Sequence, residues 1–395
     1  MNNPENKSFH NTGKVQAGGA TVVIFSTAYL PFLGGAETAI KGITDKISEF
    51  DFILFTARFR RDLAKVEKVG NVMVYRLGLG NFFDKVVLPF VSFFKFLSLR
   101  KKLSGPVLFW GMMVSQGSLG AWFLKFFFPQ IPFLLTVQEG DSETHIIYGR
   151  FGLIGLSWKL LLRKADRIQV ISRYLKHLCL KFGASSPIEV IPNGVDLEKF
   201  SNPDIKKSII LSQKLGIQPD EKTIITVSRL THKNAADVII RALPLLKIPA
   251  RLLILGMGEE RENLTKLVSA LNLQKKVIFE ENLYEDLPAY LKLGQVFVRP
   301  SRSEGLGTAF LEAMAAGLPI IATSVGGIRD FLIDGETGLE VRVDDPYDLA
   351  RKLDLLLSDE ALRQKLVQNG RRLVEEKYQW LQIAAKMRDI FSSLL

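Results

Sequence analysis

Residues 20–49 read A-T-V-V-I-F-S-T-A-Y-L-P-F-L-G-G-A-E-T-A-I-K-G-I-T-D-K-I-S-E. The apolar run 20–26 is short and continuous, which is typical of a β-strand buried on both faces. A glycine-rich loop follows at 31–37, and a helical pattern extends from about Thr38 to Glu49. A buried strand, a glycine-rich turn and a helix form the opening unit of a parallel sheet covered by helices. This stretch therefore predicts an α/β protein.

The alternation of strands and helices occurs twice along the chain. Further strands are predicted at 51–56, 72–76, 107–110, 133–137 and 167–171, and again at 223–227, 251–255, 277–279, 296–298 and 319–322. Between the two series the chain turns polar and contains Pro203 and Pro219, which indicates a linker. We predict two doubly wound domains, a first at 20–200 and a second at 221–377, joined by a linker at 201–220. A flexible N-terminus at 1–19 precedes them, and a C-terminal helix at 378–395 packs back on the first domain.

Composition limits the class of protein. The chain has 395 residues with 47% hydrophobic and 24% charged residues, which suits a globular protein of two domains. Cys179 is the only cysteine, so no internal disulfide can form and Cys/His zinc sites are effectively excluded. The first 20 residues are polar and do not resemble a signal peptide. We expect a cytoplasmic protein.

The positive charge is concentrated in the first half. Residues 1–200 contain 25 Lys and Arg against 15 Asp and Glu, a net +10, whereas residues 201–395 contain 27 against 26, a net +1. Such an excess indicates an acidic partner. Nucleic acid is one candidate from charge alone, but no nucleic-acid-binding motif is recognisable, so we predict no nucleic-acid partner.

Two basic, aromatic stretches at 82–103 and 122–129 suggest a different partner. Each mixes Phe or Trp with Lys or Arg, as expected of a surface in the headgroup region of an anionic membrane. The alternative is a buried core helix with a solvated basic end. Neither stretch has the 18–20 uninterrupted apolar residues of a membrane span. We therefore predict peripheral contact with the inner face of a membrane.

A second glycine-rich stretch, S-R-S-E-G-L-G-T-A-F-L-E at 301–312, has the features of a ligand site. Backbone N–H groups of the turn Gly305–Thr308 lie at the start of a predicted helix, where anions bind. Glu304 and Glu312 flank the turn, and their carboxylates can accept hydrogen bonds from sugar hydroxyls. The stretch indicates a nucleotide-sugar site. The alternative is a glycine turn followed by a glutamate that favours the helix dipole.

Five segments in order resemble family 4 glycosyltransferases with the GT-B architecture, two Rossmann-like domains facing across a cleft. The segments are P-F-L-G-G-A-E (31–37), I-P-N-G-V-D (191–196), V-S-R-L-T-H-K-N (227–234), L-G-M-G-E-E-R (255–261) and S-E-G-L-G-T-A-F-L-E-A-M-A-A-G-L-P-I-I-A-T (303–323). Each segment is weak alone, but all five at the expected separations make a strong signal. The resemblance extends from about Val22 to the end of the chain.

The resemblance implies a donor site on the second domain. Arg229 and Lys233 would stabilise the leaving diphosphate, because charge develops there during glycosyl transfer; the alternative is a solvated pair on a helix face. Glu312 would accept from the ribose hydroxyls, and Glu304 would reach the donor sugar or the phosphates. The remaining donor-binding candidates are Gly34, Gly35, Gly305, Leu306, Gly307, Thr308, Gly256 and Gly258. Gly34 and Gly35 are also explained by a plain strand-to-helix turn.

The acceptor side departs from the family pattern. A histidine is common after the strand at 133–137, but here Gln138 or Glu139 takes its place. Gln138, Glu139, Asp141 and Asn193 are our candidates for contacts with the acceptor or the sugar. We find no Asp-x-Asp motif beside a predicted strand end, so we expect transfer without a metal or other cofactor. We expect base contacts near residues 279–284.

These observations predict an enzyme that moves a sugar from a nucleotide-diphosphate donor to a hydroxyl acceptor. The resemblance implies retention of anomeric configuration, and the basic first domain favours a lipid-linked or cell-surface glycan precursor as acceptor. A non-catalytic sugar-nucleotide-binding protein is an alternative because the histidine is missing. A NAD-dependent oxidoreductase is a further alternative, but Arg261 stands where the third glycine of its fingerprint belongs.

Overall fold

The computed structural model describes residues 19–32, 34–281 and 285–395. Most of the predicted flexible N-terminus (1–19) and part of the predicted base-contact region (279–284) therefore lie outside the described residues. Within the described chain, two sheets follow one another in sequence, as predicted.

The first sheet has eight strands in the order β3-β4-β2-β1-β5-β6-β7-β8. Its strands are β1 (Ala20–Phe25), β2 (Phe50–Ala57), β3 (Val66–Val69), β4 (Val72–Leu77), β5 (Val107–Met112), β6 (Phe133–Val137), β7 (Arg167–Val170) and β8 (Ile188–Val190). All neighbouring pairs are parallel except β3 with β4. The sequence analysis did not predict β3 and β8, because both are short edge strands without a long apolar run.

Helices cover both faces of this sheet. They are α1 (Gly35–Thr44), α2 (Asp84–Arg100), α3 (Gln116–Phe127), α4 (Glu143–Tyr148), α5 (Leu153–Lys164) and α6 (Arg173–Lys181). The short helix α7 (Leu197–Ser201) follows the last strand and packs against helices of the second domain. Side chains alternate along β1, so that Val22 and Ile24 pack with α1, and Val23 and Phe25 pack with α2 and α3. This double burial is why the first strand is a continuous apolar run.

The second sheet has six parallel strands in the order β11-β10-β9-β12-β13-β14. They are β9 (Lys222–Val227), β10 (Ala250–Leu255), β11 (Val277–Glu280), β12 (Val296–Arg299), β13 (Ile320–Thr323) and β14 (Leu339–Val341). The helices are α8 (Ile205–Leu215), α9 (Ala236–Ala242), α10 (Arg261–Ala270), α11 (Leu287–Leu291), α12 (Thr308–Ala315), α13 (Pro346–Ser358) and α14 (Glu360–Lys377). The strand order reverses between β9 and β12, and ligands of such sheets bind beyond the carboxyl ends of the strands at this point.

The stretch predicted as a linker, 201–220, contains a helix. Asp204 caps the start of α8 by accepting a hydrogen bond from the Lys207 amide (3.0 Å), and Gly216 ends the helix with a left-handed φ of 64°. Lys207 forms an ion pair with Asp286 beside α11. The polar stretch is therefore a partly exposed helix that packs against the second domain.

The last helix, α15 (Trp380–Leu394), packs against the first domain, as predicted. Phe391 lies with its ring centroid 5.1 Å from that of Trp110 and 5.8 Å from that of Phe50. Trp380 fills the space beside Gly42 and Gly194, where an added Cβ would overlap its ring. The chain thus returns from the second domain to cover the same face of the first sheet as α1.

Candidate functional site

The loops after β6, β9 and β12 meet in a crevice between the two domains. Lys233 Nζ of the second domain lies 2.9 Å from Asp141 Oδ1 of the first. Ser303 Oγ donates a hydrogen bond to the Gly140 carbonyl oxygen at 3.0 Å. The two loops of the second domain are joined by the Arg302 amide, which donates to the Lys233 carbonyl oxygen at 2.7 Å. The crevice lies at the point where the second sheet reverses its strand order.

Three predicted donor-site groups converge beside Gly140. A Cβ atom added to this glycine would lie 3.1 Å from the Gly305 amide nitrogen. It would also lie 3.4 Å from both Glu304 Oε1 and Lys233 Nζ. A cation, a carboxylate and the glycine-rich turn therefore surround one small space, and the backbone of the first domain forms its opposite wall.

Glu304 is held in this position by an arginine that the sequence analysis missed. Glu304 Oε2 lies 2.6 Å from Arg299 Nη2, and Glu304 Oε1 accepts a hydrogen bond from the Gly305 amide at 3.2 Å. Arg299 is buried at the end of β12, with its guanidinium 4.6 Å from the centroid of the Phe310 ring. A charged residue at the end of an otherwise apolar strand was the available signal. Arg299 fixes which Glu304 oxygen faces the crevice.

The turn from Gly305 to Thr308 is packed closely on both sides. A Cβ on Gly305 would lie 2.6 Å from the Glu139 carbonyl oxygen, and Gly307 has a left-handed φ of 89° at the start of α12. Behind the turn, the Gly327 amide donates to the Glu304 carbonyl oxygen at 3.1 Å, a support that the sequence analysis also missed. Leu306 was a donor-binding candidate, but its side chain is buried in the core. Only its backbone can contribute to the site.

Glu312 lies on α12, in the second turn from the start of the helix. Burial raises the pKa of this carboxyl to about 7, and the nearby charges of Lys199 and Arg299 oppose the rise. A carboxyl group in this environment is costly to ionise unless hydrogen-bond donors approach it. The hydroxyls of a ribose would be such donors.

The start of α1 faces the second domain. Burial raises the pKa of Glu37, and the hydrogen bond with its own backbone amide and the charge of Arg229 on the second domain oppose the rise. A Cβ on Gly35 would meet no atom within 4 Å, so the fold itself does not require a glycine there. In the described part of the chain, no hydrogen bond or ion pair holds the exposed Arg229 guanidinium. Gly35 and Arg229 therefore leave room for an anionic ligand, whereas a Cβ on Gly34 would lie 2.7 Å from Glu37 Oε2.

Three of the four acceptor-side candidates contact one another or the backbone. Glu139 is buried and accepts hydrogen bonds from the amides of Val114 and Gln138, and burial raises its pKa to about 7. Asn193 Nδ2 donates to Gln138 Oε1 at 2.9 Å. These side chains hold the loop 138–141 in place. Among the hydrogen bonds and ion pairs of the described residues, Asp141 is the one of the four whose side chain pairs with a side chain of the second domain.

Gly256 and Gly258 support the loop that carries Arg229. A Cβ on either would overlap the backbone of Ser228 or Leu230. The Leu230 amide donates to the Met257 carbonyl oxygen at 2.8 Å, which joins the two loops directly. Their donor-binding role stays a prediction, and their observed contacts fix the loop after β9.

Comparisons with known proteins identify the family of the chain. The family model for glycosyltransferase family 4 matches residues 33–199, and the model for glycosyl transferases group 1 matches residues 208–373. An uncharacterised glycosyltransferase of Methanocaldococcus jannaschii is 34% identical over 57% of this chain and 59% of its own length. A GDP-mannose-dependent α-(1-6)-phosphatidylinositol monomannoside mannosyltransferase of Mycolicibacterium smegmatis is 31% identical over 58% of this chain. The chain covers 62% of that relative.

Solved structures have the same two-domain fold. A sucrose-phosphate synthase from Thermosynechococcus elongatus superposes with a TM-score of 0.82 over 95% of this chain and 99% of its own, at 24% identity. Anabaena HepE in complex with UDP-glucose has a TM-score of 0.78 over 94% of this chain and 99% of its own, at 17% identity. The predicted GT-B architecture is confirmed.

Proposed function

The chain belongs to glycosyltransferase family 4, and from this premise we propose that it transfers a sugar from a nucleotide-diphosphate sugar to a hydroxyl acceptor. The observation that carries the proposal is the convergence of Lys233, Glu304 and the Gly305 amide beside Gly140. A cation and backbone donors suit the diphosphate, and the carboxylate suits a hydroxyl of the transferred sugar.

The donor diphosphate would lie between the two domains. Arg229 and Lys233 neutralise its charge, and the amides at the start of α12 donate to its oxygens. Lys233 also pairs with Asp141, so a diphosphate that takes up Lys233 competes with this carboxylate. On the second domain, Glu312 accepts from the ribose hydroxyls. The solved complex of HepE with UDP-glucose supports a nucleotide-sugar as the class of donor.

We propose that the transfer retains anomeric configuration and needs no metal. The bond between the anomeric carbon and the phosphate oxygen breaks as the acceptor oxygen bonds to the same face of the sugar. The acceptor proton passes to the leaving phosphate oxygen, so no side-chain base is required. Arg229 and Lys233 stabilise the charge that develops on the diphosphate, which is the task a divalent cation performs elsewhere.

We propose a lipid-linked or cell-surface glycan precursor as the acceptor, with the protein working at the inner face of a membrane. The mannosyltransferase of Mycolicibacterium smegmatis that matches this chain is named as a phosphatidylinositol monomannoside mannosyltransferase, which supports a lipid acceptor. The excess of positive charge in the first half supports an anionic surface.

Thermal-shift and calorimetric titrations with UDP, GDP, ADP and dTDP test the donor site. One of these nucleotides should raise the Tm by mass action. Lys233→Met should weaken its binding about 10- to 100-fold, because a charge-assisted hydrogen bond contributes about 1.5–3 kcal/mol.

Arg371→Met is the matched control, since Arg371 lies on α14 and pairs with Glu375 outside the crevice. It should bind the nucleotide as the wild type does. Equal binding by Lys233→Met and the wild type would contradict the donor site.

A further inference from the structure

Helix α2 has two apolar faces. One buries Leu88, Phe96 and Leu99 against the first sheet. The other lies on the opposite side of the helix and is exposed to solvent, at the spacing of successive turns. Its residues are Phe83, Val86, Val87, Phe90, Phe94 and Leu97. A core helix needs only the first face, so packing of the domain does not explain the second.

The exposed face of α2 continues onto the end of α3, and a lysine of α5 lies beside it. Phe126 and Phe127 at the end of α3 are each more than half exposed, and the Phe127 ring lies 4.8 Å from that of Phe93 on α2. The Lys164 ammonium of α5 lies 4.5 Å from the centroid of the Phe126 ring. We call the exposed apolar residues of α2 together with Phe126 and Phe127 the aromatic face. Contiguous exposed apolar patches of this kind mark sites of association.

Positive charge prevails in the two segments that carry α2 and α5 beside the aromatic face; outside them, Asp166 pairs with Lys125 of α3. Residues 79–103 contain five basic residues and one acidic residue, and residues 147–164 contain four basic residues and no acidic one, nine against one in all. The single acid, Asp84, is buried and accepts hydrogen bonds from the amides of Leu79, Gly80 and Asn81. The partner of this face must therefore tolerate aromatic side chains beside a dense positive charge.

We propose that the aromatic face docks on an anionic lipid bilayer. Phe side chains enter the boundary between headgroups and acyl chains, and the surrounding Lys and Arg contact lipid phosphates. A second copy of this chain fits less well. A symmetric contact would place like charges opposite one another, and such interfaces exclude Lys from their centres. No helix among the described residues is long and apolar enough to cross the bilayer.

The topology places this surface on the flank of the first domain. Strand β4 runs parallel to β2, and α2 begins directly after it, at the carboxyl edge of the first sheet, where the loop 138–141 also leaves β6. Phe126 and Phe127 end α3 shortly before β6 begins, so they lie towards the opposite edge of the sheet. Docking through the aromatic face would thus lay the flank of the first domain on the bilayer, with Phe83 nearest the edge that carries the crevice. The aromatic face would provide the membrane contact proposed above, and it contains no residue of the proposed donor site.

Vesicle flotation tests the aromatic face with the full chain. We expect the wild type to bind vesicles of phosphatidylcholine with 30% phosphatidylglycerol, and not vesicles of phosphatidylcholine alone. The double variant Phe83→Ser, Phe94→Ser should reduce binding at least tenfold, and these side chains are 74% and 69% exposed, so folding should be unaffected. High salt should weaken wild-type binding through screening.

The matched control is Ile209→Ser with Ile210→Ser on α8, whose side chains are 54% and 62% exposed away from this face. It should bind vesicles as the wild type does. Equal flotation of the Phe variant and the wild type would overturn the proposal. So would a wild-type dimer that the Phe variant converts to a monomer without any vesicle binding, because the face would then join two copies. Nucleotide titration of the Phe variant should match the wild type, which separates this test from that of the donor site.

Discussion

Glu312→Gln should remove a pH-dependent loss of stability. Burial raises the pKa of this carboxyl from 4.5 to about 7 in the folded chain. The folded state therefore keeps a proton that the unfolded state has already released as the pH rises above 4.5. Stability must then fall as the pH rises from about 4.5 to 7, and the loss is complete above 7.

The size of the effect follows from the shift. Each pKa unit corresponds to about 1.36 kcal/mol, so ionising Glu312 should cost the fold about 3 kcal/mol in total and about 2 kcal/mol between pH 5 and pH 7.5. Glutamine cannot ionise. The free energy of unfolding of Glu312→Gln, minus that of the wild type, should therefore rise by about 2 kcal/mol over this interval. The buried Glu139 is present in both proteins, so its contribution cancels.

Urea unfolding followed by circular dichroism at several pH values between 5 and 7.5 measures this difference. Glu340→Gln is the control, because Glu340 is an exposed glutamate of the same domain. For this control, the difference from the wild type should stay constant with pH. A difference that also stays constant for Glu312→Gln would refute the reasoning, since burial could not then raise the pKa of this partly buried side chain.

Two further predictions concern the walls of the crevice. Asp141→Asn should tighten binding of the nucleoside diphosphate up to about fivefold in calorimetry, because a half-exposed ion pair with Lys233 contributes about 0.2–1 kcal/mol; weaker binding would mean that Asp141 contacts the ligand directly. Gly305→Ala should lower stability by about 1–3 kcal/mol in thermal unfolding, since the added carbon meets the Glu139 carbonyl oxygen. Gly35→Ala should keep the wild-type Tm, because the added carbon meets no atom. An equal fall in Tm for both glycine variants would contradict the packing described here.

Much of the fold could be predicted because the central parallel strands, such as β5, β6 and β12, are buried on both faces. Predicted strands such as 133–137 and 223–227 coincide with β6 and β9 within a residue. Edge strands and the helix α8 lack this signal. β14, for example, has only three residues, and its central Glu340 is exposed, so no apolar run marks it. The helix α1 also begins three residues before the predicted start at Thr38, because glycines at its first turn obscure the pattern.

The amino-acid sequence by itself determined two αβ domains, their glycine-rich turns and the residue types of the proposed phosphate and sugar site. These follow from local rules of burial and turn geometry. Only the tertiary structure decided that Arg299 holds Glu304, that Glu139 turns to the backbone, and that Asp141 reaches Lys233 from the other domain. The Asp141–Lys233 contact joins residues 92 positions apart. Its existence depends on how two separately folded sheets meet, which no local pattern of residues encodes.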